Sequence, residues 1–517
     1  MIKTETKTLK PAKHNNIKII LISSIIGIVA GIVTVLYRFS LTRAEDLSFF
    51  IYDFVANNKI FIPILFICLA IIGYLIGVLV KKFPLISGSG IPQVKGEILG
   101  YIKGTWLGTL VMKFIAGTIS IIAGLSLGRE GPSIQLGACV AQGISSKLAK
   151  NQSDKKIYTA SGASAGLAAA FNAPMAGVMF ALEEIFKYFS PMVLLSTMVS
   201  AVFADYISKI FFGTDTVFHF DITQKIDIMH YWIIILLGIV LGFSGVIYNF
   251  CCVKSQEIYK KIKFKNPTLK FLIPFICAGI LGLTFPIVLC GGHSVVTELD
   301  ISASIIFLLV VFVIKFLFSM ISFGSGAPGG IFFPLLVLGS IIGAIFAKIF
   351  IPIMGMSDAV FYNFVILAMC GYFAAIVRAP LTGIILLVEM TGSFSQILPL
   401  IVTSAVAYVV AEELKSKPIY ELLLENLLKS RGVHKEPEDN SKILLEAVVH
   451  FGAKIDNRPV KNVLLPEKCL IISIKRGNSE ITPNGNTIIL AEDYLTIIAD
   501  ASKEKEAREC LEKMVTR

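Results

Sequence analysis

Two acidic sites stand out in a chain that is otherwise strongly apolar. In "GLSLGREGPSIQLGA" (124–138), Arg129 and Glu130 interrupt a glycine-rich apolar segment, and "GLAAAFNAPMAGVMFALEE" (166–184) closes on Glu183 and Glu184. A carboxylate at the first turn of a helix lies in the field of free backbone N–H groups, the same field that holds a small anion. Ionised, Glu130 can occupy the place an anion would take. Protonated, it loses that attraction and can swing away, which is the chemistry of a gate coupled to protons. The alternative for Glu130 is a salt bridge to Arg129 or a position facing water in a loop. A second, separated acid at Glu184 gives a proton a route that an anion need not share. Glu183 and Glu184 together are equally compatible with capping the end of a span.

Three glycine-rich breakers surround these acids: "SGSGIPQV" (87–94), "GREGP" (128–132) and "GSGAPGGIFFP" (324–334). Each ends a flexible glycine stretch with a proline and resumes a helical pattern, and proline suits the first turn of a helix. Gly88, Gly90 and Pro92, then Gly128, Gly131 and Pro132, then Gly330 and Pro334 form this punctuation. Ser89 adds a hydroxyl donor, and Ile331 and Phe332 add backbone N–H groups in an apolar wall. Several helix starts meeting at one point, two of them with no Lys or Arg in the loop core, make a mild trap for a small inorganic anion. A mild trap suits conduction, because a permeating ion must also leave.

The elements that must position these residues are membrane helices. The chain has 517 residues, 55% of them hydrophobic and only 16% charged, and its mean hydropathy is +0.77. Apolar runs at 17–37, 60–80, 231–250, 271–289, 305–321, 331–350 and 359–377 approach or reach the roughly 20 residues that span a bilayer as a helix. Sheet edges cannot be satisfied in lipid, so the expectation is an all-α polytopic membrane protein. Its segments echo each other. "GLAAAFNAPMAGVMFALEE" resembles "YFAAIVRAPLTGIILLVEM" (372–390), and each has a Gly/Pro breaker upstream. Repeated, broken helices of this kind commonly meet at a binding site near the midplane. The repeats are expected at about 17–212 and 230–422.

The net charge of +11 is read as cytoplasmic Lys and Arg rather than a nucleic-acid surface. Lysines in the tail 1–16 suggest a cytoplasmic N-terminus. Nine cysteines and six histidines are scattered, without the spacing of a zinc site or a disulfide framework. The membrane domain is expected over 17–428, and 429–442 reads as a polar linker. Beyond it, "CLIISIKRG" and "NTIILAEDYLTIIAD" alternate like strands around the turn "TPNGN", and "SKEKEARECLEKM" reads as an amphipathic helix. A small cytoplasmic α/β domain is therefore expected over 443–517.

"GSGIP", "GREGP", "GGIFFP" and "AAAFNAPMAGVMFALEE", in this order, resemble the CLC family of chloride channels and chloride/proton exchangers over roughly residues 17–422. The resemblance implies an antiparallel pair of inverted-topology repeats made of broken, tilted helices, and a homodimer with a pore in each subunit. It also implies roles. Ser89, the amides of Ile331 and Phe332, and the hydroxyl of Tyr420 in "KPIYELLL" would contact chloride. Glu130 would be the external gate, and Glu184 would relay protons from the cytoplasmic side, which favours exchange over a passive channel. Arg129 would shape the field rather than bind the ion. Ser89 matches chloride-preferring members, whereas nitrate-accumulating relatives tend to carry proline there. Gln93 departs from the glutamate common after this motif. Residues 461–500 resemble the C-terminal regulatory subdomain of potassium-uptake proteins, which implies either a sensor for a small ligand or a dimer clamp. A cation transporter would need a carbonyl filter, and an enzyme a nucleophile with its base or a metal. Neither pattern occurs, and no cofactor is expected. An inner-membrane location is the expectation.

Overall fold

The computed structural model describes residues 16–432 and 442–515, apart from positions 150, 188, 219, 221, 223, 263, 265, 467, 468, 478 and 501–503. The expected N-terminal tail and most of the expected linker lie outside these residues. The chain forms two compact units, Met1–Leu427 and Leu428–Arg517.

The first half of the larger unit is built from α1 (Asn16–Asn57), α2 (Ile62–Lys82), α3 (Ile91–Leu99), α4 (Trp106–Ile122), α5 (Glu130–Leu148), α6 (Gln152–Phe171), α7 (Pro174–Phe180) and α8 (Pro191–Phe212). The second half comprises α9 (Tyr231–Lys261), α10 (Leu272–Thr284), α11 (His293–Thr297), α12 (Ile305–Gly324), α13 (Phe332–Met354), α14 (Phe361–Val377), α15 (Pro380–Thr391), α16 (Ile397–Glu413) and α17 (Ile419–Ser430). Among the described residues, nine helical stretches are long and apolar enough to cross a membrane. The 42 residues of α1 extend about 63 Å at 1.5 Å per residue, twice the hydrocarbon thickness, so a span of that length must tilt steeply. Two spans, Pro191–Phe212 and Phe394–Glu413, have mean hydropathies of only 1.4 and 1.8. Their Ser, Thr and Ala residues explain why apolar runs alone did not mark them.

Small residues let the central helices approach closely. A Cβ on Gly162 of α6 would stand 2.2 Å from the Gly137 carbonyl of α5, so any larger side chain there would push the two helices apart. α14 is enveloped by protein, with 94% of its span buried.

The two halves meet through reciprocal backbone contacts. Gly128 and Gly330 form an antiparallel bridge, each N–H donating to the other's carbonyl at 2.7 Å. Gly88 donates to the Gly326 carbonyl at 3.2 Å, and Cys290 donates to the Gly124 carbonyl at 3.1 Å. Glu183 and Glu389 complete the pattern. Glu183 accepts from the Leu381 and Thr382 N–H groups that open α15, and Glu389 accepts from those of Met175 and Ala176 that open α7. Each half thus caps a helix of the other, satisfying N–H groups that have no intrahelical partner. This reciprocity is the signature of inverted repeats.

The smaller unit holds an antiparallel sheet of four strands in the order β1 (Lys442–Val448), β6 (Tyr494–Asp500), β3 (Leu470–Arg476) and β4 (Ser479–Ile481). A two-stranded ladder pairs β2 (Arg458–Pro459) with β5 (Ile488–Ile489), and α18 (Glu504–Val515) packs on β1 and β6. At the end of β3, Arg476 donates to both carboxylate oxygens of the buried Asp493 at 2.8 and 2.7 Å. A bidentate pair of this kind fixes the turn before β6 geometrically.

Candidate functional site

Three helix starts converge in the middle of the larger unit. Gly90 (φ +100°) is the residue before α3, Arg129 precedes α5, and Ile331 precedes α13. Pro92, Pro132 and Pro334 lie buried in the respective first turns. Gly88 (φ +62°) completes the loop by accepting from Gly329 at 3.1 Å. Gly131 allows the first two starts to touch, because a Cβ there would lie 2.3 Å from Ser89 Oγ. A Cβ on Gly330 would fall 3.2 Å from the Gly131 nitrogen. Ser89, Gly131, Gly330 and Gly128 therefore form one continuous backbone wall.

Glu130 stands at the head of this wall. It is 0% exposed, and neither carboxylate oxygen has a hydrogen-bond partner. The backbone N–H groups of Arg129, Glu130 and Phe333 face the carboxylate without reaching hydrogen-bond geometry. Arg129 Nε lies 3.7 Å from Oε1, near enough to shape the field but too far to be a hydrogen bond. Glu130 lines a recess together with Glu45, Arg129, His293 and Phe333.

Below Glu130, the hydroxyls of Ser89 and Tyr420 are buried and also lack partners. The Tyr420 ring meets Phe180 edge-on at 6.3 Å, and Phe180 in turn meets Phe332 at 6.2 Å. The N–H groups of Ile331 and Phe332 precede the first intrahelical donor of α13, which is Leu335 bonded to the Ile331 carbonyl at 3.0 Å. Buried hydroxyls without partners are costly. Grouped with free helix-start amides and a carboxylate, they describe a place prepared for a group that accepts hydrogen bonds.

Glu183 and Glu184 part company. The chain leaves α7 through a π-helical turn, Ala181–Phe186, and consecutive residues of a helix point in different directions. Glu183 goes to its cap on α15. Glu184, 1% exposed, receives a hydrogen bond of 2.8 Å from Lys95 Nζ, itself 5% exposed.

Three lysines were not singled out from the sequence. Lys95 follows "SGSGIPQV" by one position. Lys113 of α4 is fully buried and donates to the Ile86 and Gly88 carbonyls at 2.9 and 2.5 Å. Lys315 of α12 donates in the same way to Val288 and Cys290, both at 2.9 Å. Single lysines in the middle of apolar helices were the available signal. Lys113 thus satisfies carbonyls of the loop that carries Ser89. Gln93 donates to the Ser87 carbonyl at 2.6 Å, tightening the same loop.

The geometry agrees with what the chain resembles. Residues 72–412 match the model of the voltage gated chloride channel family, and residues 444–511 match the TrkA-C domain. The chain belongs to the voltage gated chloride channel, or CLC, family. It is 35% identical over 440 residues to the H(+)/Cl(-) exchange transporter ClcA of Vibrio cholerae serotype O1, covering 81% of this chain and 91% of that protein. It is 33% identical to the protein of the same name in Klebsiella pneumoniae, covering 79% and 89%. The solved structure of a slow cyanobacterial Cl-/H+ antiporter superposes with a TM-score of 0.76 at 30% identity, over 82% of this chain and all of that one. The chain is thus a multi-pass membrane protein of the CLC family with a TrkA-C domain at its C-terminal end.

Proposed function

We propose that this chain is a secondary active transporter that exchanges chloride for protons, with Glu130 as the protonatable gate and Glu184 as the inner proton acceptor. One observation carries the reading. The Glu130 carboxylate is buried at a helix start without a hydrogen-bond partner, in the position where an anion would be held. The charge-bearing form competes with chloride for helix-start amides, and the protonated form does not. Chloride and the ionised carboxylate are then alternatives at one place, and because a proton decides between them, chloride movement is coupled to proton movement. Ser89 Oγ, Tyr420 Oη and the amides of Ile331 and Phe332 donate to the ion. Similarity to the V. cholerae and K. pneumoniae exchange transporters and to the cyanobacterial antiporter favours this reading over a passive channel.

The same proposal includes a homodimer with one ion path per subunit, an inner-membrane location with both termini cytoplasmic, and a TrkA-C domain that acts as a small-ligand sensor or a dimer clamp. The test is transport by purified protein in sealed liposomes. With a chloride gradient imposed and external pH recorded, protons should move uphill, and a protonophore should abolish the pH change. Chloride flux with no proton movement would make the protein a channel.

A further inference from the structure

Glu184 is held by more than its position. Lys95 Nζ donates to Glu184 Oε1 at 2.8 Å, and the same ammonium lies 3.9 Å from Glu421 Oε1. Glu421 is about one-third exposed and is also paired with Lys187. Lys95 therefore stands between a buried carboxylate and one that reaches solvent. Its helix, α3, begins two residues after Ser89, and Glu421 follows Tyr420 on α17. The pair Lys95–Glu184 and its neighbour Glu421 thus tie together the elements that carry Ser89, Glu184 and Tyr420.

The charged and titratable groups facing Glu184 are Lys95 from α3, Lys187 from the end of its own segment, and Tyr420 and Glu421 from α17. Among the described residues, Lys95 is the cation within ion-pair distance of it. A cation this close opposes protonation of a carboxylate. Burial of Glu184 favours its protonated form and the Lys95 ammonium works against it, so protonation is eased when the ammonium moves off, and an ammonium left there without a carboxylate would be costly. Glu421 offers it a second carboxylate a short side-chain movement away.

We propose that Lys95 is a positioning residue that latches Glu184 in its ionised form, and that proton entry requires its ammonium to pass from Glu184 to Glu421. This rests on the reading of Glu184 as the inner proton acceptor. The experiment uses the full chain in sealed liposomes, measuring chloride and proton flux against the pH on the side facing Glu184. Lys95→Met should keep chloride flux within about twofold and raise the pH of half-maximal proton flux by roughly one to three units, the span by which a nearby opposite charge acts. Lys95→Arg should restore the original profile. Glu421→Gln removes the second resting place and should lower the half-maximal pH while slowing proton flux. An unchanged profile in Lys95→Met, or a Glu421→Gln profile shifted upward, would overturn the latch. If Lys95→Met does not fold, Lys95→Gln, which also removes the charge, takes its place with the same expected upward shift. Glu184→Gln serves as the separate control: undiminished proton flux there would refute the acceptor reading itself, whatever Lys95 does.

Discussion

Gly128 and Gly330 exchange two hydrogen bonds across the middle of the molecule, and on either side of that bridge the halves carry the same backbone devices. Lys113 covers the carbonyls before α3, and Lys315 covers those before α11. Asn172 and Arg378 both end a buried helix in the left-handed conformation (φ 53° and 67°), each just before an Ala-Pro helix start. Glu183 and Glu389 each cap the helix that leads to the other. The chemistry breaks this symmetry. Where the first half has Glu130 in the first turn of α5, the second has Phe332 in the first turn of α13. Where the first half has Glu184 after its capping acid, the second has Met390, which is buried and apolar. Where the first has Ser89, the second has Gly291. A symmetric scaffold brings the helix starts together, and an asymmetric set of side chains puts a carboxylate at these two positions in only one half.

The comparison can be broken at its points of difference. The largest effect is expected from Glu130→Gln, which should abolish proton-coupled transport and leave passive chloride flux, because an amide neither ionises nor carries a proton. Persisting coupling in the liposome assay would remove Glu130 from the gate. Next comes Glu184→Gln, for which proton flux should fall to background while chloride flux continues. Its mirror Met390→Leu should change coupling little, since volume-conserving apolar exchanges cost less than about 1.5 kcal/mol. Equal effects in the two halves would mean that the asymmetry is not what couples the ions.

The comparison can be sharpened where the halves agree. Lys113→Met and Lys315→Met each leave buried carbonyls without a donor, at about 1–3 kcal/mol. Both should lower thermal stability similarly in detergent, but only Lys113→Met should also weaken chloride binding, read by calorimetry, because its carbonyls flank Ser89. The smallest effect is expected from Glu183→Gln and Glu389→Gln. An amide offers one accepting oxygen where the carboxylate uses two, so each should cost about 1–2 kcal/mol and leave the proton-to-chloride ratio intact. A change in that ratio for Glu183→Gln alone would give Glu183 a share in proton transfer.

Much of this was legible in the chain. Glycine and proline at fixed offsets marked all three helix starts, because only those residues supply the needed backbone freedom and first-turn geometry. The strands "CLIISIKRG" and the end of "NTIILAEDYLTIIAD" were visible in their alternation. β1 was not, since "KILLEAV" is rich in Leu, Glu and Ala and becomes a strand by pairing residue for residue with β6. α17 runs to Ser430, into the polar stretch that composition alone read as a linker. The role of the lysines was also hidden, because a lone Lys in an apolar run signals importance without naming its partner.

The sequence by itself determined that this is a membrane protein of broken helices in two related halves, that an acid sits at one helix start, and that a second acid closes the first Ala-Pro segment. These follow from hydropathy, punctuation and local order, which are properties of neighbours in the chain. Only the tertiary structure decided which of two adjacent glutamates caps a helix and which meets a lysine. Adjacent on one helical turn, Glu183 and Glu184 point in different directions, and their partners, Thr382 and Lys95, lie far away along the chain. Likewise, only packing decided that Ser89, Gly131, Gly330 and Glu130 share one wall. The burial that gives these groups their function arises from elements distant in sequence, so local order could indicate the groups but not their pairing.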